Sequence, residues 1–273
     1  MVRQHFFVPK NAPFLEVRTT LDSALPYAEH FHSAFSLGLL LAGKTRFSLE
    51  GEMYVAEQGD MVLIAPGQAH SCNPVDGVPR SYHMLFIDEA WFGERMETAL
   101  RLRGIGVRKP VVKDSVLYAK AVAMVQALDS AGHDVETLLM DVLLTLHERH
   151  GCFAPSVGER GFAALRPDGA GLPWSAEENC AAPSVSQLAR NAGMRRESFS
   201  RAIRRKTGLP PSSYLHCLRL EKGRLLLRQG RSIAEAASAS GYVDQSHFHH
   251  TFVRFFSATP GCYQKGGSHP YKK

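Results

Sequence analysis

Two stretches decide how the last third of the chain folds: "SVSQLARNAG" (184–193) and, 48 residues further on, "SIAEAASASG" (232–241). Each opens on a serine that is followed three residues later by Gln187 or Glu235. That is capping-box spacing, in which the hydroxyl and the longer side chain each satisfy an orphan amide at a helix start. Each stretch closes on a glycine, Gly193 or Gly241, where a left-handed residue can stop a helix. The second copy gains one residue in the turn, so the offset becomes 49: Phe199 then matches Phe248, Ile203 matches Phe252, Pro211 matches Pro260 and Tyr214 matches Tyr263. The register predicts helix, tight turn, helix, twice over. Between the copies, "LHCLRLEKGRLLLRQ" (215–229) predicts one long joining helix.

Projected at about 100° per residue, the second helix of the later copy puts Phe248, Phe252 and Phe255 on one inward face. Ser246, His250 and Arg254 fall opposite, with His247 and His249 flanking them. In the earlier copy Phe199 and Ile203 point inward, and Glu197, Arg201 and Arg205 point out. Both outer faces are short, polar and mostly basic. Residues 184–273 hold 16 Lys and Arg against 4 Asp and Glu, whereas residues 1–183 carry a balance of −6 within an overall +6. A basic helical module on an acidic body implies a polyanionic partner. A B-DNA major groove admits one helix of this kind, and arginine can bind guanine there with both its forks. His247 and His250, three apart, could share a metal ion, but the acidic or thiol residue nearest at ligand spacing is Asp244.

"ASGYVDQSHFHHTFVRFFSATPGCY" (239–263) and "LARNAGMRRESFSRAIRRKTGLPPSSYL" (188–215) resemble the double helix-turn-helix of the AraC/XylS family of transcription regulators. The resemblance implies two recognition helices held by a rigid linking helix and entering successive major-groove segments. It places Arg201 and Arg204 at reading positions of the first helix, and Gln245, Ser246, His249 and His250 at those of the second. Arg195, Arg196, Glu197, Arg205 and Arg254 complete the expected DNA-binding set. Two positions depart from the family pattern: Ser257 stands where a glycine usually follows the second recognition helix, at a strain of about 1 kcal/mol if left-handed, and Gly223 is the small residue of the linking helix.

The first half reads differently. Between residues 14 and 88, "FSLGLLLAG", "TRFSLEG", "MYVAEQGD" and "MVLIAPG" are short strand-like runs broken by Gly, Pro and acidic turns, which suggests a barrel or sandwich. From about Glu89 the period becomes helical: Leu117, Ala121, Met124 and Leu128, then Val135, Leu138, Leu139, Val142 and Leu146. "EHFHSAFSLGLLLAG" and "GDMVLIAPGQAH" resemble the cupin-like sensor domain of the same family, with His30 and His32 as the His-x-His and Gly59, Asp60, Pro66, Gly67 and His70 as the second motif. Metal-binding cupins carry a glutamate where this chain has Ser36. The expected effector-binding set is therefore His30, His32, Ser36, His70 and Cys72, with no catalytic residue, no metal and no cofactor.

The expected fold class is α+β: an N-terminal cupin-like β-barrel plus helices over 1–151, a Gly-, Ala- and Pro-rich linker over 152–183, and an all-α double helix-turn-helix over 184–268. No apolar run is long enough to span a membrane, and the N-terminus lacks the apolar stretch of a signal peptide. Five widely spaced cysteines without a Cys-x-x-Cys argue against a zinc ribbon and for reduced thiols in a cytoplasm. The expected function is sequence-specific transcription regulation, more often activation, controlled by a small molecule in the barrel. The expected partners are double-stranded DNA, the small-molecule effector, a second copy of the chain through its central helices, and RNA polymerase. The alternative is a cupin metalloenzyme with an accessory DNA-binding tail.

Overall fold

The computed structural model describes residues 2–102, 105–128, 134–155, 184–256, 258–265 and 269–271. Its first half is built on two antiparallel sheets. The three-stranded sheet takes β4 (Lys44–Leu49) between β5 (Glu52–Glu57) and β7 (His70–Pro74). The larger sheet runs β10 (Val111–Lys113), β6 (Asp60–Ile64), β3 (Phe35–Ala42), β8 (Arg80–Ile87), β2 (Leu15–Ser23), β1 (Val2–Phe7) and β12 (His269–Tyr271). The last pairing joins the two ends of the chain, with Gln4 opposite His269. A further pair, β9 (Ile105–Val107) with β11 (Phe153–Pro155), carries ordered chain past Gly151.

Six consecutive residues of β3 are buried because both faces of the large sheet are covered. Phe35, Leu37 and Leu39 face a core shared with α1 (Glu89–Leu100), α2 (Ser115–Ala127) and α3 (Val135–His150). Leu40 faces the barrel interior with Phe47, Val62, Tyr82 and Met84. The predicted stripes on α2 and α3 are spent on the first of these cores: Leu117, Ala121, Met124, Leu139, Val142 and Leu146 are all buried within the chain. Burying each of the leucine, valine and methionine side chains contributes about 1.5–3 kcal/mol. Asp114 and Asp134 cap the two helices, and left-handed Gly151 ends the second.

The C-terminal half follows the predicted duplication. α4 (Val185–Asn191) and α7 (Ile233–Ala239) both start on complete capping boxes, at Ser184–Gln187 and Ser232–Glu235. Gly193 and Gly241 have φ of 65° and 77°. α5 (Arg196–Thr207) and α8 (Gln245–Phe256) are the second helices, α6 (Pro211–Arg228) joins the copies, and α9 (Pro260–Lys265) repeats the start of α6. Phe248, Phe252 and Phe255 are buried, as is Ile203, with Phe199 half-buried. Ser257 and most of the expected linker, 156–183, lie outside the described residues.

The two halves are packed together. Phe6, Phe31 and Ala69 of the first half belong to the core of the second. Around them runs a buried polar network: Glu16 accepts from the Tyr263 hydroxyl at 2.6 Å and from Arg224 at 3.3 Å, and Ser33 donates to Glu221 at 2.9 Å.

Candidate effector cavity and nucleic-acid interface

His30 and His70 are pinned by a two-bond antiparallel bridge between their main chains, with N···O distances of 2.9 and 2.7 Å. The Gly67 amide donates to the His32 carbonyl, so the Pro-Gly turn of the second motif fixes the main chain that carries the third imidazole, just ahead of β3. Each ring then ties its Nδ1 to a nearby carbonyl: His30 to Ala28 at 2.7 Å, His32 to Ala34 at 3.0 Å, His70 to Gln68 at 2.8 Å. With Nδ1–H donated, Nε2 carries the lone pair on each ring, and on His32 it meets the Ser36 hydroxyl. Ligand nitrogens of the three rings lie within 4.8 Å of one another. Burial lowers all three pKa values, His30 to about 4 and the other two well below the usual range, so the rings are neutral at pH 7. Three neutral imidazoles oriented by second-shell carbonyls suit a divalent transition metal. Against this, the hydroxyl of Ser36 stands 3.4 Å from His32 Nε2 where a carboxylate would complete the set, and the positive charge of Arg18 bears on all three rings. The donor atoms fit a cation; the local field opposes a bare one.

These rings form one side of a cavity of about 40 Å³ inside the barrel. Its other walls are Leu40, Val62, Met84 and Phe86, the phenols of Tyr27 and Tyr82, and Arg18, Arg80 and Cys72. Phe255 and Phe256, at the end of α8, close it from the other half of the molecule. Of the expected effector set, His30, His32, His70 and Cys72 line this space, and Ser36 sits behind His32. Cys72 is half-buried, and burial pushes its thiol up to about 11, so it is a neutral wall residue. Sequence reasoning missed Arg18, Arg80, Tyr27 and Tyr82. Arg80 is 1% exposed and gives its guanidinium to the carbonyls of Ser23, Leu25 and Cys72, which makes it a structural brace. In β2, Leu15 and Val17 face the helix-covered core while Glu16 and Arg18 alternate onto the opposite, cavity side, a pattern that reads in sequence as an ordinary half-exposed strand.

On the second half, Arg195, Arg196, Glu197, Arg201, Arg204 and Arg205 are all exposed along α5. Gln245, Ser246, His250 and Arg254 are exposed on α8, and His249 is half-buried. The two sets do not have equal freedom. His247, His250 and Arg254 line a cleft of about 430 Å³ whose far side includes Ala28 and Glu29 of the first half and Pro210 and Ser213 of the linking segment.

Comparison with known proteins places both halves. Residues 22–147 match the model of the AraC-like ligand binding domain, and residues 188–266 match a helix-turn-helix domain. The chain belongs to the AraC family of transcription regulators. Among its relatives are the HTH-type regulator YbfI of Bacillus subtilis, 26% identical with 81% of each chain covered, and the transcriptional activator RhaS of Pectobacterium carotovorum, 24% identical with 93% of each covered. An apo ToxT variant from Vibrio cholerae shares the fold across both halves, with a TM-score of 0.63 at 12% identity over 92% of this chain and 97% of that one. Another ToxT structure, bound to an unsaturated fatty acid, aligns with a TM-score of 0.58 at 12% identity, covering 98% of this chain and 95% of that one. No helix among the described residues is long and apolar enough to cross a membrane.

Proposed function

We propose that this AraC-family regulator reads double-stranded DNA with α5 and α8 and is controlled by a small molecule in the barrel cavity, with activation as its output. One observation carries the reading: Phe255 and Phe256, which close the effector cavity, are the last residues of the helix proposed to read DNA. A ligand in the barrel therefore meets the DNA-binding half directly, and it shifts the equilibrium by its different affinity for the docked and released arrangements. Arg201 and Arg204 read bases in the first half-site; Gln245, Ser246, His249 and His250 read the second. Arg195, Arg196, Arg205 and Arg254 hold the phosphate backbone, and Glu197 accepts from a cytosine amine. His30, His32, His70 and Cys72 contact the effector, and Ser36 sets the His32 ring.

The proposal includes a cytoplasmic homodimer that engages RNA polymerase and has no enzymatic activity. Since the α2 and α3 stripes are buried within one chain, a dimer must use their outer faces, and sedimentation of the purified protein checks its mass. The experiment for the whole reading is selection of bound sites from random duplexes, followed by a screen for small molecules that change affinity for the selected site. Equal binding to selected and random duplexes at physiological salt would reduce the protein to a non-specific DNA binder.

A further inference from the structure

The cavity holds a cation with no ion-pair partner among the described residues. Arg18 is 6% exposed. Its guanidinium lies 5.3–5.6 Å from the ring centres of Tyr27, Tyr82 and Phe86. Its Nε has no hydrogen-bond partner, and among the described residues no ion pair joins it to a carboxylate. Glu16, two positions away on the same face, is already held by Tyr263, Arg224 and Arg228. What Arg18 does hold is the carbonyl of Phe256, at 3.3 Å, which is the last carbonyl of α8. A cation at that end complements the helix dipole, yet a bond of this length is long for N–H···O. A buried guanidinium left with one neutral acceptor is costly, whereas a carboxylate there makes shorter, charge-assisted bonds of about twice the strength.

The rest of the wall fits the same ligand. His30 and His70 offer Nε2 acceptors to a hydroxyl elsewhere on the ligand, while Leu40, Val62, Met84 and Phe86 offer an apolar bed. The cavity is small, with Phe255 and Phe256 of α8 forming part of its wall, so a ligand seated on Arg18 lies beside the end of that helix.

We propose that the effector is a small organic carboxylate seated on Arg18, and that it competes with the carbonyl end of α8 for that guanidinium, so that occupancy releases the second recognition helix from the barrel. The inference rests on reading the barrel cavity as the effector site. It assigns Arg18 two alternative acceptors, the helix end when the site is empty of acid and the carboxylate when it is filled.

The test uses the full-length protein and matched pairs of probes: acetate and acetamide, propionate and propionamide, benzoate and benzamide, with zinc ion alone as a separate arm. Binding is followed by thermal shift, and release of α8 by hydrogen exchange of its last turn. Acids should bind and their amides should not. Arg18→Gln should lose at least tenfold in acid affinity, Arg18→Lys should keep part of it, and saturating acid should speed exchange in the last turn of α8 in the unaltered protein. The Arg18→Gln chain should show that faster exchange without any acid. The proposal is overturned if the amides bind as tightly as the acids, if Arg18→Gln keeps full affinity, if no acid in the panel binds, or if α8 exchange is unmoved by a bound acid. Neutral compounds or zinc that alter DNA binding where acids do not would sink the carboxylate and leave the regulator standing. Acids that bind Arg18 and release α8 in a protein indifferent to DNA sequence would do the reverse.

Discussion

At the scale of single residues, the motif positions were legible and the charged residue between them was not. His30, His32 and His70 stand out in the sequence because their spacing belongs to turns that bring strands together. Arg18 stands in a run, "LEVRTTLDS", whose alternation looks like an ordinary half-exposed strand; only the docked second half makes its face an interior. The neutral imidazoles carry a prediction in pH. Their folded pKa values lie below the unfolded value near 6.5, so between about pH 4 and 6.5 the unfolded chain binds protons that the folded chain refuses. Stability is therefore fully present above that window and is lost as pH falls through it. His30→Gln should flatten this acid limb by on the order of 2–3 kcal/mol in urea midpoints taken from pH 7 down to 4. An unchanged limb would mean that the ring is charged or exposed in the native state. On the DNA side, Arg201 is exposed on the outer face of α5, held only by a 3.4 Å bond to the Ser198 hydroxyl, and Arg201→Ala should lower discrimination at one base pair by about 1–3 kcal/mol. Arg195→Ala, at the N-terminal end of α5 where a phosphate is favoured, should weaken selected and random sites alike. If footprints and affinities survive Arg201→Ala, the register assigned to the first recognition helix is wrong.

At the scale of elements, the duplicated helices were readable because capping boxes, glycine stops and a 3.6-residue stripe are all local signals that agree with one another. The three-residue strands β9, β10, β11 and β12 were not readable, since a pattern of three residues has no period to detect. Their pairing is set by partners far along the chain: β12 adds to β1 across nearly the full sequence. The linking helix gives the element-level prediction. A methyl group on Gly223 would lie 2.6 Å from Cε2 and 2.9 Å from Cζ of Phe248, and 3.1 Å from Oγ of Ser240. Phe248 is wholly buried between Tyr242 and Phe252, so it has no room to retreat. Alanine gains up to about 1 kcal/mol of helix propensity over glycine. Overpacking of this kind costs about 1–3 kcal/mol. Gly223→Ala should therefore destabilise the C-terminal half in chemical denaturation and weaken DNA binding by moving α8 against α6. A more stable protein would show that the two helices are further apart than this packing has them.

At the scale of the whole molecule, the sequence separates into two modules, but their interlocking was invisible to it. Glu16 and Tyr263 are 247 positions apart, and nothing local marks them as partners. Their contact belongs to a docked state in which His247, His250 and Arg254 face a cleft bounded by Ala28 and Glu29. On the proposed reading, a duplex engaging that face competes with Ala28 and Glu29 across the cleft, and DNA binding draws on the fraction of molecules in which the halves have parted. The apparent dissociation constant is then the intrinsic one divided by that fraction. Glu16 is the centre of the latch: its side chain is 5% exposed, and it accepts from Tyr263 while pairing with Arg224 at 3.3 Å and Arg228 at 3.7 Å. In the parted state the same carboxylate is solvated. Glu16→Gln keeps the shape and an acceptor for Tyr263 but removes the charge that holds the two arginines. Breaking one partner of a buried, hydrogen-bonded charge network is strongly destabilising to the state that contains it. Effector-free Glu16→Gln protein should therefore bind its selected duplex roughly tenfold more tightly, about 1.4 kcal/mol, and respond less to effector. Fluorescence anisotropy against the selected duplex, with and without effector, reads both quantities. Unchanged or weaker binding in a variant that still melts cooperatively would mean that the docked arrangement does not compete with DNA, and that control must pass through the dimer rather than through this contact.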